Sequence, residues 1–528
     1  MAIPTPLYGA LLTAIFAIYS QLHFSGISPT AHPIPWTNPK RPFFLHEALL
    51  AQLLTFLALW LPFERKFLSA IFLPPLFTVY WTLLGSGALS PAVGYAVGTF
   101  IAAMGMKALE LLVFRPVSSM KLASDSNSKP AEPIPASPIQ RAGWIFELQH
   151  CLRGVGWNWG GVYTRGWEQK EALSKPRWLL RRVIRGAVMY TWIDFLVYWI
   201  HEIDTDYFLP AGHATGLTAP PAGVPYASLF SIQQTPNPRH WGKPENLSKT
   251  STLLGLDLTT LLPSSPLFWQ TIRTLFSASA MWTAISGLYT IFALFFVFTG
   301  CILGSSTGFR NRWLSPIAWP DAFGDWGTGD WKGVCRFWGR GWHGLFRTIF
   351  TAPVDGAIRV LGLNPRGNTA KGLRLTIPFA MSALLHVTGA WTQSFGGWGT
   401  ARFFLLQPIG CILEMIVEKE YRKFLRPRRP GVVYSVLEGV LVYAMTIMWF
   451  TATSESFFED YRWGGLWRVE PIPFSPYRYM RGEYWTVWVT HPDLLGGRGW
   501  WRWVTSEEAA VLLPGWLGRW AEYAVVVV

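Results

Sequence analysis

Long apolar stretches recur along this chain and constrain its fold more than any other feature of the sequence. A helix that crosses a bilayer needs about 20 mainly apolar residues with few charges. Seven stretches meet or approach that standard, and two shorter ones contain Asp194 and Glu414. The sequence therefore predicts an all-α polytopic integral membrane protein with nine spans: 6–24, 48–63, 67–85, 89–106, 186–200, 275–303, 375–391, 403–417 and 432–450.

The overall composition agrees with a membrane protein. Half of the 528 residues are hydrophobic and 14% are charged, whereas an average soluble domain carries about 25% charged residues. The chain lacks the polar surface that several water-soluble domains would need. Its four cysteines lie far apart, with no C-x-x-C pair, which predicts free thiols rather than a zinc site or a disulfide framework.

Basic residues are distributed unevenly between the two sides of the predicted bundle. Of 45 Lys and Arg residues, 31 fall in the segments that follow the second, fourth, sixth and eighth spans. The positive-inside rule then predicts a cytosolic N-terminus and a lumenal tail. Because topology accounts for the formal charge of +14, we do not expect nucleic acid as a partner.

Two local signals bear on the same topology. The first span has no basic segment before it and no small-residue cleavage site, which is typical of a retained anchor. The N-x-S/T sequon at Asn246 lies in the loop 201–274, which the topology places in the lumen. We therefore expect glycosylation of Asn246 and residence in the endoplasmic reticulum.

His386 is the histidine within a clearly apolar predicted helix. Ionisable groups at membrane depth are costly and usually face a bundle interior or a wet cavity. On a helix the neighbours of His386 are Ser382, Ala383, Gly389 and Ala390, all of them small. This face either lets another helix approach closely or leaves a channel for a substrate. A histidine that only hydrogen-bonds a neighbouring helix is the alternative.

A second candidate site precedes that helix, around His343. Aromatic and basic side chains alternate there: Arg336, Trp338, Arg340, Trp342 and Arg347. Arginines beside aromatic rings suit a phosphorylated, nucleotide-bearing ligand such as coenzyme A. An interfacial belt of aromatic residues and arginines is the alternative interpretation.

Four short strings together resemble the wax-synthase-like branch of the membrane-bound O-acyltransferases, and the fungal members most of all. They are WPDAFG at 319–324, FWGRGWH at 337–343, SALLH at 382–386 and RGVGWN at 153–158. His386 falls where that superfamily keeps its catalytic histidine. The resemblance implies a helical bundle with an internal tunnel and a catalytic core within 305–452.

The resemblance also implies a reaction and roles for the residues. An acyl group would pass from acyl-CoA to an alcohol without an acyl-enzyme or a permanently bound cofactor or metal. His386 would accept the hydroxyl proton, and His343 would position the thioester or the alcohol. Coenzyme A would bind through Arg336, Trp338, Arg340, Trp342 and Arg347, and the substrate tunnel would be lined by Ser382, Ala383 and Gly389.

The expected substrates are a short acyl group, acetyl, and a hydrophobic, terpenoid-type secondary metabolite; this choice rests on family analogy alone. A long-chain alcohol acyltransferase that forms wax esters is the first alternative. A transporter is the second, with a polar pathway through Asp194, His386, Glu414 and Glu438. The bilayer, coenzyme A and the alcohol are the expected partners.

One competing signature lies at the edge of a weak predicted span. His201 and Asp206 match the H-x4-D pattern in which an aspartate orients a histidine base, but two fixed positions often arise by chance. Together with Glu202 and Asp204 they could also bind a metal, although a solvated acidic patch is the simpler interpretation.

The chain divides into five predicted segments. Residues 1–115 and 184–304 carry transmembrane helices, the latter with the lumenal loop 201–274. Residues 116–183 form a cytosolic linker and a Trp- and Gly-rich segment. The core 305–452 and the Trp- and Tyr-rich tail 453–528 complete the chain.

Overall fold

The structure is a computed structural model that describes most of the chain. The described residues are 41–42, 45–61, 64–87, 91–115, 117, 120–121, 135, 137–160, 175–208, 252–253, 256–257, 262–303, 312–325, 329–394, 397–424, 431–464, 466–468, 471–472 and 474–480. The predicted span 6–24, the sequon at Asn246 and the tail beyond residue 480 lie outside them.

Helices form nearly all of the described secondary structure. In chain order they are α1 (Leu45–Trp60), α2 (Arg65–Leu84), α3 (Pro91–Leu109), α4 (Pro138–His150), α5 (Lys175–Tyr198), α6 (Thr205–Phe208), α7 (Pro266–Leu303), α8 (Val334–Arg336), α9 (Arg347–Val360), α10 (Asn368–Ser394), α11 (Trp398–Phe424), α12 (Val432–Thr453), α13 (Glu455–Trp463) and α14 (Pro476–Met480).

Short irregular elements complete this order. The π-helical turns Glu110–Phe114, Trp199–Ile203 and Phe337–Gly341 extend α3, α5 and α8, and short 3-10 turns cover Arg312–Leu314, Pro316–Ala318 and Leu466–Arg468. Strand β1 (Arg41–Pro42) pairs in parallel with β2 (Ser86–Gly87), and β3 (Thr252–Leu253) pairs antiparallel with β4 (Leu256–Asp257).

Six of the described helices are long and apolar enough to cross a membrane: α2, α3, α7, α10, α11 and α12. They coincide with the predicted spans 67–85, 89–106, 275–303, 375–391, 403–417 and 432–450. The multi-pass helical prediction is therefore confirmed, whereas the count of nine spans is not. The stretch 48–63 forms α1, a helix of 16 residues, and 186–200 lies in α5, whose first half is strongly basic.

Helices α3 and α10 pack against each other through small residues. A Cβ atom on Gly98 of α3 would lie 2.4 Å from the Thr392 Oγ1 atom, and one on Gly389 of α10 would lie 2.4 Å from the Thr99 Oγ1 atom. Neither position has room for a side chain, so glycine lets the two backbones come together. This contact sets the distance between α3 and the helix that carries His386.

Two buried carboxylates join distant parts of the bundle. Asp204 accepts two hydrogen bonds from the Arg273 guanidinium on α7, at 2.6 and 2.7 Å. Asp194 on α5 accepts hydrogen bonds from the Ser475 hydroxyl at 2.5 Å and from the Tyr477 backbone N–H at 2.8 Å. Buried charges need such partners, so Asp204, considered above for a metal, and Asp194, considered for a transport pathway, have structural partners. The side chains of His201 and Asp206 are not among those described.

Candidate active site

One face of α10 lines a cavity of about 260 Å³. Its residues Arg374, Pro378, Ser382 and His386 follow one another at intervals of four, so the α-helix stacks their side chains along a single stripe. Leu375 and Phe379 widen this stripe. The exposed end of the stripe carries the arginine, and the imidazole lies at its inner end.

The π-helical turn Phe337–Gly341 and the loop after it form the opposite wall. The Gly324 N–H donates to the Gly341 carbonyl at 2.9 Å. A Cβ atom on Gly324 would lie only 2.4 Å from the Arg340 carbonyl oxygen. The glycine that ends the WPDAFG string therefore lets this string pack directly against FWGRGWH, and the two strings build one wall.

His386 is held on two sides. Its ring stacks on Phe404 of α11, with centroids 4.7 Å apart and planes 5° apart. Its Nδ1 atom lies 2.9 Å from the Tyr95 hydroxyl of α3, and the Tyr461 hydroxyl of α13 donates to that of Tyr95 at 2.8 Å. Because Tyr95 occupies Nδ1, the nitrogen that remains for a molecule in the cavity is Nε2.

His343 lines the same cavity as His386. Its Nδ1 atom is inaccessible to solvent and has no hydrogen-bond partner among the described residues. Burial, reinforced by the nearby positive charge of Arg153, lowers the pKa of His343 to about 4. The imidazole is therefore neutral at neutral pH, and a bound ligand can supply the partner that its ring nitrogen lacks.

Arginine side chains surround the opening of the cavity. Arg340, Arg347 and Arg374 line it and are exposed. Arg153 lies deeper, where it donates to the Pro320 carbonyl at 3.1 Å and to a tyrosine hydroxyl. Arg336 is exposed but is not part of the described lining. The rim can therefore attract an anionic ligand through its three guanidinium groups.

The two tryptophans predicted to contact coenzyme A are built into the wall. The Trp338 indole N–H donates to the Gln407 Oε1 atom at 3.1 Å, and its ring packs against Phe379 and Phe404. The Trp342 ring packs against Phe323, with centroids 5.2 Å apart. Both line the cavity, but as partly buried members of an aromatic cluster rather than as exposed stacking surfaces.

The three predicted tunnel residues separate in the structure. Ser382 lines the cavity, whereas Ala383 and Gly389 are not among its described lining residues. Ala383 belongs to a buried cluster, and Gly389 faces α3. The close-approach alternative thus describes Gly389, because a Cβ atom there would meet the Thr99 side chain and the Tyr95 backbone of α3.

Glu414, considered above for a transport pathway, lies beside the site and has a structural partner. Its Oε2 atom accepts a hydrogen bond from the Cys335 backbone N–H at 2.9 Å. A carboxylate at the start of the short helix α8 satisfies a backbone donor that has no partner within the helix. This contact links α11 to the wall that carries Trp338 and His343.

Four residues of the site were missed by the sequence reasoning: Arg153, Arg374, Tyr95 and Tyr461. Arg153 had a signal, because the two glycines that follow it in RGVGWN adopt positive φ angles of 69° and 74° and so form the tight turn that presents it. The tyrosines had none, since they are distant in the sequence from His386 and belong to no motif that the reasoning recognised.

The site therefore combines two imidazoles, an apolar aromatic wall and a cationic rim. Such a cavity suits a ligand with an apolar reactive end and an anionic end. A neutral imidazole with a free Nε2 atom can accept a proton from a hydroxyl group held beside it.

Comparisons with known proteins agree with this chemistry. The family described as "Membrane bound O-acyl transferase family" matches residues 319–406, the segment that holds both His343 and His386. The acetyltransferase ple2 of Rhodocybe pseudopiperita is 25% identical over 60% of this chain and 65% of its own length. The acetyltransferase eriL of Hericium erinaceus is 30% identical over 31% of this chain and 42% of its own length.

A third relative, the acetyltransferase ataH of Aspergillus terreus, is 34% identical over 20% of this chain and 36% of its own length. The chain thus spans less than two thirds of the length of each of these relatives. No solved structure matches it. The family match covers the segment that carries the resemblance read from the sequence and confirms that resemblance: residues 319–406 of this multi-pass membrane chain are similar to the membrane-bound O-acyltransferases.

Proposed function

We propose that this protein transfers an acetyl group from acetyl-CoA to a hydroxyl group of a hydrophobic, terpenoid-type alcohol. The observation that carries the proposal is the placement of His343 and His386 on one cavity with an arginine rim. One imidazole can act as a base for the hydroxyl group while the other holds the thioester beside it, and this shared placement favours their reaction.

The rim supplies the site for the donor. Arg340, Arg347 and Arg374 bind the phosphates of coenzyme A, and Arg374 takes the place first expected for Arg336. The thioester then enters between the α10 stripe, which includes Ser382, and the wall that carries Trp338 and Trp342. These arginines belong to segments predicted to be cytosolic, where acetyl-CoA is available, in a protein of the endoplasmic reticulum.

His386 acts as the general base. Its Nε2 atom accepts the hydroxyl proton while the alcohol oxygen attacks the thioester carbonyl carbon. His343 holds the carbonyl oxygen through a ring N–H. The C–S bond then breaks, the ester forms, and the proton passes from the imidazolium to the departing thiolate of coenzyme A. General-base help of this kind contributes about 10²- to 10⁴-fold to the rate.

Two observations favour acetyl over a long acyl chain. The cavity of about 260 Å³ is smaller than the roughly 300–1,000 Å³ that sites for drug-sized ligands occupy. Trp338 lines this cavity, where it is held by a hydrogen bond to Gln407 and packs against Phe403 and Phe404. The three relatives, each named an acetyltransferase, support the same choice.

The test is an ester assay on microsomes that contain the full chain. Acetyl-CoA and palmitoyl-CoA are each offered with a panel of terpenoid and fatty alcohols, and the ester is measured by mass spectrometry. We expect acetyl esters of terpenoid alcohols. Esters from palmitoyl-CoA alone would support the wax-ester alternative, and alcohol uptake without any ester would refute acyl transfer.

Two histidine variants distinguish an effect on the site from a general effect on the helical bundle. His386→Ala is expected to lose the activity by about 10²- to 10⁴-fold. The matched control is His150→Ala, at the end of α4 and not among the described cavity lining; its Nδ1 atom lies 2.8 Å from the Phe146 carbonyl oxygen, and its ring contacts Phe146 and Trp313. Full turnover by His386→Ala at a normal amount of protein would contradict the mechanism.

A further inference from the structure

We propose that Tyr95 is a positioning residue that directs the Nε2 lone pair of His386 into the cavity, and that Tyr461 holds Tyr95 in place. This inference rests on the proposed function and concerns its catalytic base. Neither tyrosine belongs to the segment that matches the family. Both come from helices that the bundle brings to the side of His386 away from the cavity.

His386, Tyr95 and Tyr461 are connected by consecutive hydrogen bonds. The Tyr95 hydroxyl lies 2.9 Å from the His386 Nδ1 atom, and the Tyr461 hydroxyl donates to it at 2.8 Å. The Tyr95 and Tyr461 rings meet edge to face, with centroids 4.9 Å apart. Phe404, stacked on the His386 ring with the planes 5° apart, fixes the plane of the imidazole.

A neutral imidazole carries one proton, and its position decides what His386 can do. If the proton is on Nδ1 and is donated to the Tyr95 oxygen, the lone pair on Nε2 faces the cavity. A hydroxyl oxygen has lone pairs for both donors, Nδ1–H and the Tyr461 hydroxyl. If Tyr95 instead donated to Nδ1, the proton would lie on Nε2 and His386 could not act as a base.

Catalysis strengthens this contact. Once Nε2 has taken the hydroxyl proton, the ring is positively charged and must donate from Nδ1 as well. The Tyr95 oxygen accepts that bond, and a hydrogen bond from a charged group is stronger than one between neutral groups. Tyr461 remains a donor throughout, because burial raises its pKa well above the ordinary value of a tyrosine.

The test uses Tyr95→Phe, which keeps the ring and removes only the hydroxyl. With the alcohol that the wild type acetylates most rapidly in the panel, we expect kcat to fall about ten- to a hundredfold, with the KM for acetyl-CoA unchanged. A purely structural role would instead lower the amount of folded protein or change the KM. Wild-type kcat in Tyr95→Phe would overturn the proposal.

The contribution of Tyr461 is tested by a double-mutant cycle. Tyr461→Phe alone should lower kcat less than Tyr95→Phe, and it should have no further effect once the Tyr95 hydroxyl is gone. Independent, multiplying effects would show that Tyr461 does not act through Tyr95. The matched control is Tyr80→Phe on α2, whose hydroxyl accepts a hydrogen bond from the Gln52 side chain at 3.4 Å; it should leave kcat unchanged.

A second readout does not depend on turnover. Diethyl pyrocarbonate reacts with a neutral imidazole at the nitrogen that bears the lone pair, and the modified His386 peptide can be quantified by mass spectrometry. The labelling of His386 should be slower in Tyr95→Phe than in the wild type and unaffected in Tyr80→Phe. Equal labelling rates would overturn the positioning role of Tyr95, whether or not any alcohol in the panel is a substrate. If no alcohol in the panel is a substrate, that result counts against the proposed function alone.

Discussion

The contact between α3 and α10 can be tested by adding a single methyl group. In Gly389→Ala the new Cβ atom would lie 2.4 Å from the Thr99 Oγ1 atom and 3.0 Å from the Tyr95 carbonyl oxygen. Contacts this short do not persist, so the helices must separate or shift. Overpacking of this kind costs about 1–3 kcal/mol of stability.

The same displacement reaches His386, the proposed catalytic base. To relieve the 2.4 Å contact to an ordinary separation near 3.4 Å, Thr99 has to move by about 1 Å. A comparable shift of Tyr95, one helical turn away, would lengthen its 2.9 Å hydrogen bond to His386 beyond the range in which such bonds form. We therefore expect kcat to fall about as far as in Tyr95→Phe, by about ten- to a hundredfold.

The assay compares initial rates of acetyl ester formation per amount of full chain in microsomes, together with the unfolding temperature of the solubilised protein. Gly372→Ala is the matched control, because it lies on the same helix and its Cβ atom would meet nothing within 4 Å. There alanine should stabilise the helix by up to about 1 kcal/mol. Wild-type turnover and an unchanged unfolding temperature in Gly389→Ala would refute this description of the α3–α10 contact.

Three further predictions follow from the rim, the buried histidine and the buried ion pair. Arg374→Ala should raise the KM for acetyl-CoA about fivefold and make this KM less dependent on salt concentration, since a solvent-screened contact contributes up to about 1 kcal/mol. An unchanged KM with an unchanged salt dependence would argue against a phosphate contact. Because the folded-state pKa of His343 is about 4, below its ordinary 6.5, the unfolded chain binds more protons between these values, so stability should fall as the pH drops from 6.5 to 4. Thermal unfolding of His343→Gln should show less of this decrease, and an identical pH profile would contradict it. Asp204→Asn should destabilise the protein by about 3–5 kcal/mol by leaving Arg273 buried without its charged partner, and an unchanged unfolding temperature would contradict that role.

Local sequence features predicted those parts of the structure that depend on local physics. Six apolar runs became membrane-length helices, because an apolar run of sufficient length is itself the requirement for crossing a bilayer. The stretches 48–63 and 186–200 were harder to predict, since the first forms a helix of only 16 residues and the second lies in a helix with a basic first half. The length and hydropathy of these two stretches therefore did not suffice to predict where their helices begin and end.

The candidate site divides in the same way. The motifs identified His343 and His386 because short strings recur among proteins that share a chemistry, and both histidines line one cavity. They could not show that Arg374 and not Arg336 borders that cavity. Arg336 and Arg340 are separated by one helical turn, but the π-helical turn between them changes the direction in which each side chain points.

The sequence by itself determined that this is a helical membrane protein with a segment similar to the membrane-bound O-acyltransferases and with two candidate histidines. Only the tertiary structure decided how His386 is held, because its partner Tyr95 lies 291 residues away in the chain. It also decided that Gly389 faces a helix and that Trp338 lines the cavity. Apolar length acts within one segment, whereas a hydrogen bond between helices depends on which faces meet when the bundle packs.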